Sequence, residues 1–396
     1  MSDDPSTEQA RSAPAIDAAT LKARIDRGEP VFVLDVREAG DFEEWHIDGL
    51  SAEVVNLPGD ELTEGDVETA LAAVPDDRQV VVLCAKGISS EAIAAELNEM
   101  GYDATHLEDG MEGWAELYEA AEVRRYDGPG TLVQYRRPSS GCLGYLVHDG
   151  ERGAVFDPLR HFADRYIEDA ADLGIDLVYA VDTHVHADHV SGVRGLEDRG
   201  VEGVVPAPAV DRGITSADEL TIVRDGETLS VGEVTVEAVH TPGHTTGMTS
   251  YLVGESALLT GDGLFVESVA RPDLEEGDDG APAAARMLYE SLQETVLSLP
   301  DDVVVAPGHF SDATDPAADG TYTATLGELR ERMAALSMDE AEFVDLILSD
   351  MPPQPANYRE IIATNLGQAS VDDAEAFQLE LGPNNCAASQ DAMTGD

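Results

Sequence analysis

The seven residues Thr183-His-Val-His-Ala-Asp-His189 constrain this chain more than any other stretch of it. They place three histidines and an aspartate directly after the apolar run 177–181, which reads as a buried strand. Three further groups recur in the same setting. His244 closes His240-Thr-Pro-Gly-His244 after the strand pattern 234–239. Asp262 closes Thr260-Gly-Asp262 after 257–259, and His309 closes Pro307-Gly-His309 after 303–306. Strand ends along one edge of a sheet converge, so groups far apart in sequence can meet at one ion. Imidazole with carboxylate suits iron or zinc better than magnesium or calcium. His46, His106, His148 and His161 fall outside this ordered pattern and read as structural.

The length of 396 residues predicts two or three domains. Acidic residues number 80 against 23 basic ones, a net charge of −57, and only Lys22 and Lys86 are lysines. Such a surface cannot displace counterions from nucleic acid and is repelled by an anionic membrane, so neither is expected as a partner. Hydrophobic residues make up 43% of the chain and are spread along it, which predicts a folded protein with an acid-coated surface, suited to a salt-rich cytoplasm. No run of about eighteen apolar residues is present to span a bilayer. Residues 1–14 carry no apolar core, and the reading is cytoplasmic. Cys84, Cys142 and Cys386 are far apart, form no Cys-x-x-Cys pair and fit a reducing compartment.

Residues 1–13 read as a flexible tail. From 14 to 120, apolar strands such as 31–35 and 79–83 alternate with helical patterns such as 90–100, which implies a parallel sheet. The stretch 121–130, containing Asp127-Gly-Pro-Gly130, reads as a linker. A second unit is expected over 131–370, with strands at 144–148, 154–156, 177–181, 234–239, 249–253, 257–259 and 303–306, and helices at 160–173 and 284–297. The acidic run 275–280 reads as a solvated loop, and 371–396 as an acidic C-terminal tail.

Cys84 directly follows the strand ending at Leu83, and a helical pattern runs from Glu91. The loop Ala85-Lys-Gly-Ile-Ser-Ser90 therefore sits at a helix N-terminus, where free amides and the helix dipole favour a sulfur anion. Gly87 allows the tight turn, and Lys86 adds positive charge. Val33-Leu-Asp-Val-Arg-Glu38, Trp45-His-Ile-Asp-Gly49 and Gly110-Met-Glu-Gly-Trp114 surround it, and together these resemble a rhodanese domain. The resemblance implies that Cys84 is the nucleophile that carries a persulfide, cradled by residues 85–90. Related cysteine phosphatases close this loop with arginine; Ser89 and Ser90 stand here instead.

The order His-x-His-x-Asp-His, Gly-His, Gly-Asp, Gly-His resembles the metallo-β-lactamase fold. The expected class is thus α/β: a rhodanese domain with a parallel sheet and flanking helices, followed by an αββα sandwich. Asp262 follows His244 by only eighteen positions, Arg271-Pro-Asp-Leu274 comes next, and Met351-Pro-Pro-Gln-Pro and Asn357-Tyr358 stand near the end. These features resemble the persulfide dioxygenases and their rhodanese-fused relatives. That resemblance implies one Fe(II) held by His184, His244 and Asp262, with His186, Asp188, His189 and His309 supporting it or forming a second metal site.

The implied activity is oxidation of a small-thiol persulfide by O₂ to sulfite, coupled to sulfur transfer at Cys84 to sulfite or from thiosulfate. Arg271 is the candidate for holding the anionic substrate, with an ordinary ion pair as the other reading of it. The alternative is a two-zinc thioester hydrolase of the glyoxalase II type, in which the same residues bind both ions. Where animal-type persulfide dioxygenases have aspartate and tyrosine after the last motif histidine, this chain has Phe310 and Ser311, which leaves the thiol carrier open. A homo-oligomer is compatible with the fold.

Overall fold

The computed structural model describes residues 12–47, 51–64, 71–311, 314–349, 351, 353–382 and 386. The chain divides into two compact units, with the division between Leu117 and Tyr118.

The first unit is built on a five-stranded parallel sheet, in the spatial order 15–16, 104–107, 80–83, 31–35, 52–56. Every residue of Val31–Asp35 and Val80–Leu83 is buried. Strands covered on both faces read as unbroken apolar runs, which is why they stand out in the sequence. Phe32, Leu34, Val80 and Val82 pack against Ile93, Ala94 and Leu97 of the helix Ile88–Met100. Val31, Val33, Val81 and Leu83 face the other way, toward Leu21, Ile25 and Trp114. Arg37 forms a buried ion pair with Asp35 at 2.6 Å and donates to the carbonyl of Trp45 at 2.6 Å. These two motifs therefore brace each other; Asp48 and Gly49 of the second lie outside the described residues.

The second unit stacks two sheets. One has seven strands in the order 221–223, 202–206, 176–181, 152–156, 143–148, 131–136, 119–122. The other has six, in the order 228–231, 234–240, 249–253, 257–261, 304–307, 324–325. Leu132, Tyr145, Val147, Phe156 and Val181 of the first meet Val236, Tyr251, Val253, Leu259 and Ala306 of the second. The alternate residues Leu146, Val155 and Ala180 face Tyr166 and Ala170 of the helix Ala163–Leu173. Leu258 and Val305 face Leu288, Leu329 and Phe343 on the other outer side. Period-two alternation with apolar residues on both faces produces the αββα sandwich.

Three expectations change here. Residues 121 and 122, expected in a linker, belong to the edge strand Glu119–Glu122, with Ala121 opposite Gln134 and Glu122 opposite Val133. An edge strand pairs through its backbone and needs no apolar alternation, so its sequence gives no strand signal. The acidic run 275–280 enters the helix Gly277–Glu290, with Asp278 and Asp279 in its first turn, where carboxylates complement the dipole. The segment expected as a C-terminal tail contains the helix Asp373–Leu379, started by a capping box between Asp372 and Glu375. Phe377, Glu380 and Cys386 are all buried. Among the described residues, no helix is long and apolar enough to cross a membrane.

Candidate functional site

Five strands, 152–156, 176–181, 234–240, 257–261 and 304–307, end at one edge of the sandwich, and their following residues converge there. The Nε2 atoms of His184 and His244 lie 3.7 and 3.6 Å from Oδ2 of Asp262. The three residues are at most 2% exposed. All three of these atoms are buried without a hydrogen-bond partner. Their separations accommodate one ion at ordinary nitrogen and oxygen ligand distances of about 2.0–2.2 Å.

The other nitrogen of each imidazole fixes its tautomer. Thr183 Oγ1 donates its single hydrogen to Asp157 Oδ2 at 3.0 Å, so it accepts from His184 Nδ1 at 2.8 Å. The carbonyl of Arg271 accepts from His244 Nδ1 at 3.0 Å. Both Nε2 atoms are left with open lone pairs. Burial holds both imidazoles below the ordinary histidine range, and hence neutral. Burial acts to raise the Asp262 carboxyl, but His309, with His184 and His244, holds it below the usual range.

The remaining motif groups are taken up by one another. His309 joins Asp262 Oδ1 through Nδ1 at 2.6 Å and Asp188 Oδ2 through Nε2 at 2.9 Å. His189 Nδ1 also joins Asp188 Oδ2, at 2.9 Å. Burial would lower His309 and His189, yet the facing carboxylates push both well up. His186 Nε2 lies 3.1 Å from Asp157 and 3.6 Å from Asp182. Burial and His189 act to lower it, but Asp157 leads the groups that push it up to about 9. Two neutral imidazoles and one carboxylate thus stay open beside a network of charged groups, in which His186 Nδ1 and His189 Nε2 are likewise buried without a hydrogen-bond partner.

Close approach makes this possible. A Cβ on Gly308 would lie 2.5 Å from Asp262 Oδ1, so only glycine lets the His309 loop reach the aspartate. Glu275 accepts from the Thr246 amide at 2.6 Å and from its hydroxyl at 2.9 Å, which braces the loop carrying His244.

Arg271 differs from the expectation that it holds an anionic substrate. It is buried, with Nε and Nη2 donating to both oxygens of Asp273 at 2.7 and 2.9 Å and Nη1 to the carbonyl of Pro353 at 2.8 Å. Its ion pair fixes the guanidinium, and its backbone carbonyl orients His244.

Sequence reasoning missed four contributors. Asp157 follows the strand Arg152–Phe156, the same setting as the ligands, and this signal could have found it. It adopts φ +49°, which is strained for a non-glycine residue, and its Oδ1 accepts the Thr183 amide at 2.7 Å. Thr183 is the second. Cys142 Sγ donates to Asp188 at 3.3 Å, and its ligand atom lies within 4.8 Å of those of Asp188, His189 and His309. Cys386 Sγ lies within 4.8 Å of the ligand atoms of Asp188, Asp262 and His309. Nothing in the polar sequence around Cys386 marked it.

In the first unit, Cys84 ends the strand Val80–Leu83 and is 7% exposed. Its sulfur accepts from the Ser90 amide at 3.4 Å and lies 3.3 Å from the Ser90 hydroxyl. The helix starts at Ile88, three residues before the expected Glu91, so Ser89 and Ser90 fall in its first turn. Gly87 supplies the turn at φ +78°, and a Cβ there would lie 2.8 Å from the Asp109 amide nitrogen. Amides of Met111 and Glu112 donate to the carbonyls of Cys84 and Ala85 at 2.9 and 3.0 Å, which explains the Gly110–Trp114 motif. Lys86 is exposed and pairs with Glu112 at 3.1 Å.

The Rhodanese-like domain family matches residues 17–117, and the Metallo-beta-lactamase superfamily matches 139–309. The chain is 28% identical over 242 residues to the human mitochondrial persulfide dioxygenase ETHE1, covering 60% of this chain and 88% of that protein. It is 31% identical over 213 residues to a protein of Burkholderia pseudomallei named a probable metallo-hydrolase, covering 43% of this chain and 69% of that one. The crystal structure of ETHE1 from Myxococcus xanthus superposes with a TM-score of 0.51 at 27% identity, covering 60% of this chain and 98% of that one.

Proposed function

This chain belongs to the metallo-β-lactamase superfamily and carries a rhodanese-like domain ahead of the sandwich; from that premise we propose that it is a persulfide dioxygenase with a fused sulfurtransferase. The overall reaction is R–S–SH + O₂ + H₂O → R–SH + sulfite + 2H⁺. The observation that carries this reading is the open set of His184 Nε2, His244 Nε2 and Asp262 Oδ2, two neutral imidazoles and one carboxylate that face one another at 3.6–3.7 Å. Two imidazoles and one carboxylate on one face suit a single Fe(II) with positions left for other ligands. When bound, the iron supplies the O₂ chemistry that amino-acid side chains lack.

The chain's own residues do the rest. Thr183 and the Arg271 carbonyl aim the two imidazoles. His309 holds Asp262 by its other oxygen, so that Oδ2 stays directed at the site. Asp188 and Asp262 together balance the charges of His189 and His309. Similarity to the human persulfide dioxygenase supports the same reading. At Cys84, thiolate attack on thiosulfate forms an S–S bond and releases sulfite, and a thiol then takes up the sulfur; the reverse sequence makes thiosulfate.

The unpartnered His186 Nδ1 and His189 Nε2, with the similarity to a protein named a probable metallo-hydrolase, favour one other reading, a two-metal hydrolase such as a two-zinc thioester hydrolase. Metal analysis of protein purified without chelator or added metal separates the two. About one iron per chain with persulfide-dependent oxygen uptake supports the dioxygenase. Two zincs per chain with thioester hydrolysis would replace it.

A further inference from the structure

A cavity of about 480 Å³ has Asp182, Val190, Ser191 and Asn365 in its wall, and none of the motif histidines lines it. Its size falls within the range of small-molecule sites, about 300–1,000 Å³. These wall residues hold the metal motif from outside the metal centre. Asn365 Nδ2 donates to the carbonyls of His186 and His189 at 3.0 and 2.9 Å, and its Oδ1 accepts from the Ser191 amide at 2.9 Å.

Two opposite charges in this wall are short of partners. Asp182 is 7% exposed, and an ionised carboxylate accepts about four hydrogen bonds. It receives the single hydrogen of the Ser191 hydroxyl, which lies 2.9 and 2.7 Å from its two oxygens. His186 Nε2 stands 3.6 Å away and nearer to Asp157, at 3.1 Å. Arg194 donates from Nη2 to the carbonyl of Thr215 at 2.7 Å, and among the described residues no carboxylate lies within 4 Å of it. The other charges of the wall are accounted for. Arg160 pairs with Asp373 and Arg199 with Asp164, and Asp198 is exposed to solvent. The remaining surface is apolar, from Val193, Val205, Ile214 and Leu220.

We propose that this cavity binds a small zwitterion, an α-amino acid with an aliphatic side chain. Its ammonium donates to Asp182, its carboxylate accepts from Arg194, and its side chain packs on the four apolar residues. A simple anion would leave Asp182 unmet, and a simple amine would leave Arg194 unmet. Because Asp182, Ser191 and Asn365 also hold residues 183–189, occupancy of the cavity and of the metal centre are linked, each tightening the other by the same factor. This makes metal retention responsive to an amino acid, whichever metal and reaction the centre serves.

Isothermal titration of the full-length protein in molar potassium chloride tests the site, with L-leucine as the probe. Two analogues each remove one charge: 4-methylpentanoate lacks the ammonium and leucinamide lacks the carboxylate. Leucine should bind once per chain, and each analogue about tenfold or more weaker, the effect of losing a charged hydrogen-bonding pair. Arg194→Met, with an unchanged thermal midpoint in the absence of ligand, should lose a similar factor for leucine and little for leucinamide. Competition with a chelator, with and without saturating leucine, should show metal affinity raised severalfold. No binding of leucine, valine or methionine overturns the proposal. An analogue that binds as tightly as leucine, or an Arg194→Met protein with wild-type leucine affinity, does the same. Leucine binding with unchanged metal affinity overturns the linkage and leaves the site. The analogues on wild-type protein decide the matter even if the variant does not fold.

Discussion

Arg137 and Glu380, 243 positions apart in sequence, form an ion pair of 2.6 Å with both side chains 1% exposed. The guanidinium carbon lies 5.5 Å from the ring centre of Phe162 and 5.4 Å from that of Phe377. Through the second Glu380 oxygen the pair reaches the backbone one residue after His189. A segment of acidic, tail-like composition is thereby made part of the metal centre.

Breaking this pair leaves a buried charge without its counter-ion. Glu380→Ala should cost about 3–5 kcal/mol of stability. Replacing both residues with apolar ones, Arg137→Met with Glu380→Leu, should recover much of that loss. Denaturant unfolding in molar salt measures both. A single variant as stable as the wild type contradicts the role of the pair.

Asp262 should be a metal ligand and Asp188 a supporting group. In Asp262→Ala, iron occupancy and persulfide-dependent oxygen uptake fall together, while sulfur transfer at Cys84 survives. Thr183→Val, which removes the hydroxyl that supports His184 and bonds Asp157, should weaken metal binding by about 10–100-fold. Asp188→Ala should be milder than Asp262→Ala. If Asp188→Ala strips the metal and Asp262→Ala retains it, the assignment is wrong.

Cys84→Ser should abolish thiosulfate:thiol sulfur transfer and leave oxygen uptake with preformed persulfide largely intact, because the two sites belong to separate compact units. Assaying both activities on one folded preparation is the check. Equal loss of both would contradict the division of labour.

Asp149 provides a pH test. Its carboxylate accepts the amides of Arg152, Glu151 and Glu233, which hold it down to about 2, below its ordinary 3.8. A depressed folded-state value contributes stability above the unfolded value, which is lost as pH falls through the folded one. The difference in thermal midpoint between wild type and Asp149→Asn should be full above pH about 4 and shrink between about 4 and 2. A constant difference across that range argues against the amide cradle.

The net charge of −57 predicts that folding and activity need high salt. Molar potassium chloride shortens the screening length to about 3 Å and quiets the self-repulsion. Circular dichroism and oxygen uptake from dilute to molar salt provide the test. Full stability in ion-poor buffer refutes the halophilic reading.

By itself the sequence determined the buried central strands, the order of the ligand motifs and the cysteine loop. The strands are legible because both faces of each main sheet are buried, so runs such as Val31–Asp35 and Val80–Leu83 carry the signal locally. The motif residues are legible because each follows such a strand. Only the tertiary structure decided which atoms remain open. Whether His184 or His309 presents a free nitrogen depends on Thr183, Asp157, Asp188 and Asp262, which converge from different strand ends. The same holds for Arg271, whose guanidinium could have faced a substrate until Asp273 and Pro353 were seen to occupy it. Glu380 and Cys386 were hidden for a further reason. Their burial comes from contacts with Arg137, Val190 and Arg271, up to 243 positions away, and no local pattern of polarity records a partner that distant.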